Sequence, residues 1–283
     1  MRALERKVFD AVFAAASPLL PRPVDTHPLG CHRRRVPDRL CLWAILVRLV
    51  TGCSWVDAER LVGGVSDTTL RARRDEWTAA GVFDQLAETM LAAYDTQVGL
   101  AVGDACVDGS LHKAPCGGDG TGKSPVDRGK LGWKWSLATD RNGIPIGWVV
   151  DAANRHDIHL LAPTLADVAA RGLLADIDTL HLDRGYDAAA IRAHVAALGI
   201  PHLDGAAKRR TRSGVTKTPV ALGQRWAAER TNSWLSNYGQ LRRNTDRRPE
   251  HRRAQLAFVV AILLAARLLD NQRLPPRRRH LSA

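Results

Sequence analysis

Residues 133–152 read WKWSLATDRNGIPIGWVVDA, a stretch that predicts two β-strands joined by a tight turn. Residues 133–139 and 144–151 are rich in the aromatic and β-branched side chains that strands favour. Asn142 and Gly143 stand between them, and Asn-Gly is the strongest short signal for a hairpin because both of its residues accept a positive φ. The stretch therefore predicts an antiparallel hairpin.

Other strands and helices are predicted on both sides of this hairpin. Short apolar runs predict strands at residues 101–107, 179–182 and 200–203. Helical spacing of apolar residues predicts helices at residues 158–171, 188–198, 224–238 and 251–270. A three-stranded meander followed by alternating strands and helices indicates an α/β fold, a mixed sheet with flanking helices.

The region before the sheet, residues 1–97, reads as helical. Helices are predicted at residues 38–50 and 55–62, and after the turn at Gly63 and Gly64 a third helix begins with Ser66 or Asp67 as its N-cap. That helix carries three basic residues, Arg71, Arg73 and Arg74. Two helices, a glycine turn and a capped basic helix predict a helix-turn-helix that binds DNA. An ordinary helical bundle with a charged exterior is the alternative.

The charge of the chain indicates a polyanionic partner. Lys and Arg total 41 against 29 Asp and Glu in 283 residues, which gives a formal net charge of +12. The arginines cluster, at residues 33–35, 71–74, 242–253 and 277–279 among other places. Nucleic acid is the partner that this pattern favours, with a solvated face and a basic disordered tail, residues 272–283, as the alternative.

Cysteine usage and hydropathy exclude several classes of protein. The five cysteines include no Cys-x-x-Cys pair, which argues against a zinc finger or a disulfide framework and fits a reducing cytosol. The amino-terminal apolar stretch contains Asp10 and predicts an amphipathic helix rather than a signal peptide. Residues 254–266 are apolar but too short to cross a bilayer, so a buried helix and no membrane partner are expected.

Three carboxylates carry the predicted chemistry. Asp108 stands in AVGDACVDGS, Asp183 in DTLHLDRGYD and Glu229 in RWAAERTNSWL. The first two follow predicted strands and the third lies on a predicted helix, so the fold can bring them to one point, where they would hold a pair of divalent cations acting on a phosphodiester. Arg225, Arg230 and Asn232 share the helix of Glu229 and are predicted to hold phosphate.

Several long motifs resemble those of bacterial insertion-sequence DDE transposases of the IS4/IS5 group. They are VDGS at Asp108, residues 124–157 beginning SPVDRGKLGWKW, LDRGYD at Asp183 and RWAAERTNSWL at Glu229, and the likeness runs from about residue 30 to 270. The resemblance implies a ribonuclease-H-like catalytic domain at residues 98–271, dependence on Mg²⁺ for which Mn²⁺ substitutes, and cleavage and transfer at terminal inverted repeats. It also implies a homo-oligomer on double-stranded DNA in the bacterial cytoplasm, associated with the nucleoid.

The resemblance assigns Asp108, Asp183 and Glu229 as the metal-binding catalytic triad and keeps an arginine, Arg225, four residues before the glutamate. The family pattern also has a tyrosine and a lysine where this chain has Leu222 and Ser236, and Arg242 or Arg243 is the candidate replacement for the lysine. Further DNA contacts are predicted at Lys123, Arg128, Lys130 and Arg184.

A glycine-rich segment, GGDGTGKS at residues 117–124, fits the pattern of a phosphate-binding loop. The pattern requires a buried strand before it and a helix after it, whereas HKAPC precedes this segment and Pro125 follows it. A basic loop beside the active site is therefore the better interpretation, and no nucleotide cofactor is expected.

Two other features favour structural roles. Asn154, His156 and Asp157 precede a predicted helix, and Asp157 is expected to cap it, with His156 as a DNA contact in the minority interpretation. Trp226 and Trp234 are expected to pack in the core rather than to stack on bases. For the whole chain, the alternatives to a transposase are a catalytically silent DNA-binding derivative, a stand-alone Mg²⁺-dependent nuclease and, least favoured, a nucleotide hydrolase.

Overall fold

The computed structural model describes residues 2–22, 35–205 and 225–273. The chain divides into two compact units, residues 100–253 and a second unit made of residues up to 99 with those from 254 onward. The sequence placed the first boundary after residue 97, close to this position. It placed residues 254–271 with the sheet, whereas the structure groups them with the helices. Residues 274–283 of the expected basic tail lie outside the described part of the chain.

In its described residues, the helical unit contains five α-helices and the greater part of a long sixth. These are α1 (Arg6–Ala16), α2 (Asp38–Thr51), α3 (Trp55–Val62), α4 (Asp67–Ala79), α5 (Val82–Gln97) and α10 (Pro249–Arg273). α2 is buried on all sides, with Leu42, Leu46 and Leu49 at most 2% exposed, so it forms the centre of this unit.

The local elements on which the helix-turn-helix prediction rests are present. Gly63 and Gly64 both adopt positive φ between α3 and α4, a conformation that glycine adopts without strain. Ser66 caps α4, its hydroxyl accepting a hydrogen bond from the Thr69 N–H at 3.3 Å. The two helices and the turn between them are confirmed.

The other unit contains a six-stranded mixed sheet. Its strands are β1 (Asp104–Lys113), β2 (Gly122–Lys123), β3 (Leu131–Thr139), β4 (Pro145–Ala152), β5 (Thr179–Leu182) and β6 (His202–Gly205). The five longer strands lie in the order β4-β3-β1-β5-β6, and β2 also pairs with β3. β3 runs antiparallel to β1 and β4, whereas β1, β5 and β6 are parallel to one another. This order and these directions are those of a ribonuclease-H-like sheet.

Helices cover both faces of the sheet. α6 (Ile158–Ala170) and α7 (Ala189–Ala197) share a hydrophobic core with Ala105 and Val107 of β1. α8 (Trp226–Leu235) covers the opposite face, where Ala227 and Ala228 contact Cys106, and the short α9 (Gly239–Arg242) follows it. Successive side chains of a strand point to opposite faces, so even-numbered residues of β1 face α8.

The hairpin predicted at Asn142 and Gly143 is also the surface on which α8 packs. Gly143 has φ +76°, and Thr231 of α8 donates a hydrogen bond to its carbonyl at 2.6 Å. A Cβ at Gly143 would lie 2.8 Å from the Thr231 hydroxyl oxygen and 3.1 Å from the Ala227 carbonyl oxygen. The turn therefore needs glycine for its backbone conformation and for the approach of the helix.

A buried carboxylate holds the same turn from inside. Asp140 is fully buried and accepts hydrogen bonds from the N–H groups of Asn142 and Ile144 at 2.9 and 2.8 Å, and from that of Ala101 at 3.0 Å. Burial raises the pKa of Asp140, while the backbone donors oppose this rise. The side chain joins the hairpin to the segment that leads into β1.

Among the residues that the structure describes, one helix is long and apolar enough, by length and composition, to cross a membrane. This is residues Pro249–Gln272 of α10, with a mean hydropathy of 1.6. However, 67% of its apolar window is buried inside the protein, as in the core helix of a folded domain. The expectation that the apolar run is too short to cross a bilayer is therefore wrong for the helix as a whole, because the helix extends beyond residues 254–266 at both ends. Its burial agrees with the buried helix that the sequence predicts.

We expect Gly143→Ala to destabilise the protein more than Gly172→Ala. Both glycines have positive φ, but a Cβ at Gly172 meets nothing within 4 Å. Each alanine should cost about 1 kcal/mol of backbone strain, and Gly143→Ala about 1–3 kcal/mol more because it pushes α8 from its seat. Urea unfolding of both variants measures the difference, and equal losses would show that the turn does not support α8.

Candidate active site

Two of the predicted carboxylates lie on neighbouring parallel strands. β1 and β5 pair in a register that sets Cys106 opposite His181. The same register, continued by two residues, sets Asp108 beside Asp183. Cys106 and His181 are paired in this register, and each aspartate lies two residues further along. Because side chains alternate between the faces of a sheet, both aspartate side chains are on the same face as Cys106, the face that α8 covers.

Asp108 lies in the middle of β1, so the prediction that it ends the first strand is wrong. Gly109 is a weak strand former and marked an end in the sequence. In the structure β3 pairs with β1 as far as Lys113, and this partner carries the strand past Asp108. Asp183, by contrast, directly follows the last residue of β5 and begins a short 3-10 turn, as predicted for a strand end.

Glu229 lies in the first turn of α8, the helix that covers this face. The alanines at 227 and 228 are buried against β1, and their small side chains allow the helix to lie close to the strand. Glu229 itself is exposed, with 46% of its side-chain surface accessible. The third carboxylate therefore reaches the site from above the sheet and remains open to solvent.

An arginine lies between Asp183 and Glu229. The guanidinium of Arg225 is 3.4 Å from a carboxylate oxygen of Asp183 and 3.2 Å from one of Glu229. Arg225 is one turn before Glu229, so the two share a helix face, as the sequence predicts. The two acidic side chains are roughly half exposed, and the arginine supplies the positive charge that brings them together.

Asp108 has a different neighbour. Asn232 of α8 donates a hydrogen bond from Nδ2 to Asp108 Oδ2 at 2.9 Å and accepts one from the Trp135 indole at 2.8 Å. Asn232 is only 6% exposed. The prediction that it holds phosphate is therefore wrong, because its amide is turned into the protein towards Asp108.

The pKa of Asp108 is raised by its surroundings. Burial raises the pKa of Asp108, and the charge of Glu229 raises it further. The Gly109 N–H, the Asn232 amide and Arg225 oppose this rise because they stabilise the ionised form. Asp108 is thus a partly desolvated carboxylate that a further cation would stabilise.

The donor set fits a hard divalent cation. In the described residues, no three acidic, histidine or cysteine side chains are grouped closely enough to hold a metal ion as they lie. Asp183 and Glu229 instead flank Arg225, whose guanidinium supplies the positive charge between them. Carboxylate oxygens are the ligands that Mg²⁺ prefers, and Mn²⁺ accepts the same ligands.

Most of the basic residues predicted to contact DNA are on the surface. The exposed ones are Arg71, Lys123, Arg128, Lys130, Arg184, Arg242 and Arg243. Arg71 forms an exposed ion pair with Asp67 at 2.8 Å on α4. Arg184 directly follows Asp183, which puts its charge beside the candidate metal ligands.

A groove of about 470 Å³ brings two of these basic segments together. It is lined by Lys113 at the end of β1, by the loop between β2 and β3, and by Arg242 and Arg243 after α8. Val126, 74% exposed, and Leu131, 45% exposed, form an apolar wall. Lys113 is bridged to Arg243 through the backbone, so the groove begins at the end of the strand that carries Asp108.

Other predicted DNA contacts serve the fold. Arg73 is 6% exposed and pairs with Asp38 and Glu76, which does not fit a DNA contact. Arg74 lies over the Trp55 ring and pairs with Asp75, with 12% of its side chain accessible. Spacing alone did not show that these two arginines turn inward from α4.

Arg230 lies in a ladder of side chains along α8. Its guanidinium is 4.3 Å from the ring centre of Trp226 and 4.6 Å from that of Trp234, and it donates a hydrogen bond to the Asn142 carbonyl. Trp226 is 43% exposed, so the prediction that it packs in the core is wrong. Arg230 joins α8 to the hairpin rather than standing free for phosphate.

The glycine-rich segment does not have the form of a nucleotide-binding loop. Gly122 and Lys123 form β2, and no helix follows them. The carbonyls of Gly117 and Asp119 accept hydrogen bonds from Arg252, which is 1% exposed. The segment therefore lacks the strand-loop-helix order that the pattern requires, and its carbonyls instead hold α10 through Arg252.

Asp157 is at the N-cap position of α6, but its side chain makes no capping hydrogen bond. It pairs instead with the buried Lys134 at 2.6 Å, and His156 Nδ1 accepts the Ile158 N–H at 3.3 Å. The expectation that Asp157 caps the helix through its side chain is wrong. An Asp157 oxygen lies 2.4 Å from where a Gly109 Cβ would be, so any larger residue after Asp108 would displace the Asp157 carboxylate.

The chain departs from the family pattern at Leu222 and Ser236, and the structure describes only the second of these residues. Leu222 lies outside the described residues. The Ser236 hydroxyl donates a hydrogen bond to the Asn232 carbonyl at 2.6 Å, within α8. Ser236 therefore closes the helix end rather than replacing a lysine, and Arg242 and Arg243 are the next basic residues that follow it along the chain.

Sequence reasoning missed a network behind the site. The two ring nitrogens of His181, on β5, are each hydrogen-bonded to a carboxylate at 2.9 Å. Nε2 bonds to Asp104 on β1, and Nδ1 bonds to Asp204 on β6. The three residues lie on adjacent parallel strands, on the same face as Asp108. The network ties together the strands that carry the two aspartates, and only the register of the sheet reveals it.

Comparison with known families gives two matches that together cover most of the chain. Residues 90–265 match the family described as "Transposase DDE domain", and residues 8–87 match "Putative transposase of IS4/5 family". The first match covers β1 to most of α10 and includes the three carboxylates.

Two curated proteins of Burkholderia cepacia are similar in sequence. The chain is 35% identical over 136 residues to "Putative transposase for insertion sequence element IS402", a match that covers 46% of this chain and 61% of that protein. It is 34% identical over 116 residues to "Insertion element IS402 uncharacterized 16.2 kDa protein", covering 41% and 79%. The chain thus spans about three fifths of the first relative.

Two solved structures of Mos1 transposase complexes also match. They are a pre-cleavage transpososome and a paired-end complex with the left transposon end, at 10% and 11% sequence identity. Each match covers 87% of this chain and 82% of that chain, with a TM-score of 0.26, too low to carry a structural argument.

We expect Asp108→Asn to stabilise the metal-free protein at pH 8 but not at pH 4. The folded state raises the pKa of Asp108 above the usual 3.8, so ionisation costs wild-type stability as the pH rises through and above that value. Asparagine removes this cost. Thermal unfolding in EDTA across this pH range measures the gain, with Asp183→Asn as the control because a half-exposed carboxylate loses little hydration. A gain that does not grow with pH would contradict the explanation.

Proposed function

This chain belongs to the Transposase DDE domain family, among the insertion-sequence transposases of the IS4/5 group, and from that premise we propose that it cuts and joins DNA at the ends of its element. The observation that supports the proposal is that the register of β1 and β5 sets Asp108 beside Asp183, while α8 above them contacts Asp183 and Glu229 through Arg225 and Asp108 through Asn232. The substrate is double-stranded DNA, first the terminal inverted repeats and then the target.

The three carboxylates would hold a pair of Mg²⁺ ions, with Mn²⁺ able to substitute. When bound, such ions supply positive charge at the scissile phosphate and lower the pKa of the attacking hydroxyl group. Hydrolysis would break one phosphodiester and free the 3′-hydroxyl at the element end. That hydroxyl would then attack a phosphodiester of the target strand, and the 3′ oxygen of the target would leave as the new bond forms.

The protein's own residues would orient this reaction. Asp108 is fixed by mid-strand backbone, whereas Asp183 and Glu229 stand at the ends of their elements and can adjust. Arg225 contacts both adjustable carboxylates through two of its N–H groups, which leaves other donors of its guanidinium for a phosphate oxygen. Arg184, exposed next to Asp183, is positioned for a neighbouring phosphate.

The groove of about 470 Å³ described above, here called the basic groove, would receive the DNA backbone on one side of the cleaved phosphodiester. Lys113, Arg242 and Arg243 line it, and Lys123, Arg128 and Lys130 lie on the strand and loop that form its rim. Phosphate contacts of this kind position DNA without reading its sequence. In this role Arg242 and Arg243 would replace the lysine that Ser236 lacks.

Recognition of the inverted repeats would fall to the helical unit. α4 has the capped start of a recognition helix, and Arg71 is its exposed basic residue among the three that the sequence predicts. Pairing of two element ends would require a homo-oligomer assembled on DNA, acting in the bacterial cytoplasm at the nucleoid.

We expect Asp183→Asn to abolish DNA cleavage while leaving DNA binding within about twofold of wild type, because the change removes a metal ligand and no exposed cation. Nicking of a supercoiled plasmid that carries the DNA flanking the gene, in Mg²⁺ or Mn²⁺, measures the first effect. Asp151→Asn, a partly exposed change on β4, should cut like wild type.

Three results would overturn all or part of the proposal. Wild-type rates in Asp183→Asn would remove the assigned site. A wild-type protein that binds DNA but never nicks it would be a silent derivative. Cleavage without joining of ends to target DNA would identify a stand-alone nuclease.

We expect the double change Arg242→Ala and Arg243→Ala to weaken DNA binding for all sequences. Each lost phosphate contact should reduce the slope of log affinity against log salt by about 1. Arg192→Ala, on α7 at the opposite face, is the control and should leave the slope unchanged. Fluorescence anisotropy over a salt series measures both, and an unchanged slope in the double variant would exclude the groove as a DNA path.

A further inference from the structure

Asn232 is a buried polar residue that links two strands of the sheet through α8. Its Oδ1 accepts the indole N–H of Trp135 on β3 at 2.8 Å, and its Nδ2 donates to Asp108 Oδ2 on β1 at 2.9 Å. Trp135 is fully buried, and Asn232 is 6% exposed. Both polar ends of the amide are therefore engaged inside the protein.

The indole fixes which way the amide faces. An indole nitrogen can only donate a hydrogen bond, so the group that faces Trp135 must be the amide oxygen. The opposite end of the amide, which faces Asp108, must then be the NH₂ group. Trp135 thus sets the direction of the hydrogen bond that Asp108 receives.

This contact constrains the carboxylate in two ways. It holds Oδ2 of Asp108, so the remaining oxygen, Oδ1, is the one that can turn towards Asp183 and Glu229. It also stabilises the ionised form of a carboxylate that burial and Glu229 would otherwise disfavour. Asn232 lies three residues after Glu229 on α8, so the same docking of the helix sets both side chains over the sheet.

We propose that Asn232 is a positioning residue for Asp108, with Trp135 as the group that orients it. The proposal rests on the proposed function, since it assigns to Asn232 the orientation of a metal ligand. Partners of metal ligands commonly change metal affinity or activity by about 10–100-fold when they are removed. A residue that only filled space beneath α8 would affect stability alone.

The test compares Asn232→Ala with Thr231→Val in the full chain. Thr231 is the adjacent buried residue of α8, and its hydroxyl bonds to Gly143 and Ala227 rather than to Asp108. Both changes remove buried hydrogen bonds from the same helix. Free Mn²⁺ measured by electron paramagnetic resonance gives the metal dissociation constant, and plasmid nicking gives kcat and the KM for DNA.

We expect Asn232→Ala to raise the Mn²⁺ dissociation constant and to lower kcat, each by about tenfold or more, with KM for DNA unchanged. Thr231→Val weakens one of the two supports of α8 and leaves Asp108 its partner, so it should lose thermal stability and change both values much less than Asn232→Ala does. Wild-type Mn²⁺ binding and kcat in Asn232→Ala would overturn the proposal. Equal losses in the two variants would also overturn it, because they would show a general effect of loosening α8.

A second variant keeps the test informative if Asn232→Ala does not fold. Trp135→Phe keeps a buried aromatic ring but removes the N–H that orients the Asn232 amide, so the amide is no longer held with its NH₂ group towards Asp108. Its kcat should fall in the same direction as that of Asn232→Ala, and a wild-type kcat would overturn the proposal. If wild-type protein neither binds Mn²⁺ nor nicks DNA, the proposed function itself fails, a result distinct from wild-type behaviour of the Asn232 and Trp135 variants.

Discussion

The close approach of α8 to the central strand is the contact on which the site depends. Ala227 and Ala228 lie against Cys106, and side chains this small let the helix come near enough for Asn232 to reach Asp108. The hairpin fixes the helix from a second direction, through the hydrogen bond from Thr231 to Gly143. Without this docking, the two aspartates would lie on the sheet with no glutamate above them.

Bringing carboxylates together costs stability, and the fold meets that cost locally. Asp108 loses hydration and is near the negative charge of Glu229, and both effects raise its pKa. Arg225 draws Asp183 and Glu229 together, and Asn232 stabilises the ionised Asp108. The site thus keeps negative charges close together at a cost in stability, and a bound cation would reduce their repulsion. Active sites commonly lower the stability of a protein in this way.

The sequence predicted what depends on neighbours along the chain. The Asn142–Gly143 hairpin, the capped start of α4 and the alternation of strands and helices all follow from local signals. The site residues that were predicted came from the motifs around Asp108, Asp183 and Glu229. Their grouping on one face follows from the parallel register of β1 and β5 and from the position of α8.

What escaped prediction depends on contacts between distant segments. The extension of β1 past Asp108 needs β3 as its partner, and the inward turn of Arg73 needs Asp38 and Glu76. Asn232 looked like a surface amide because the sequence does not show that Trp135 lies behind it. Spacing along a helix gives the face of a residue but not what that face meets.

The seating of α8 on the hairpin has a consequence for how this protein tolerates change in length. Surface turns between strands are ordinarily where insertions and tags are accepted. This turn is different, because its tip is the surface on which a helix rests. An extra residue there would displace Glu229 from the sheet. The turn after α6 at Gly172, which has open space around it, is the better place to lengthen the chain or attach a label.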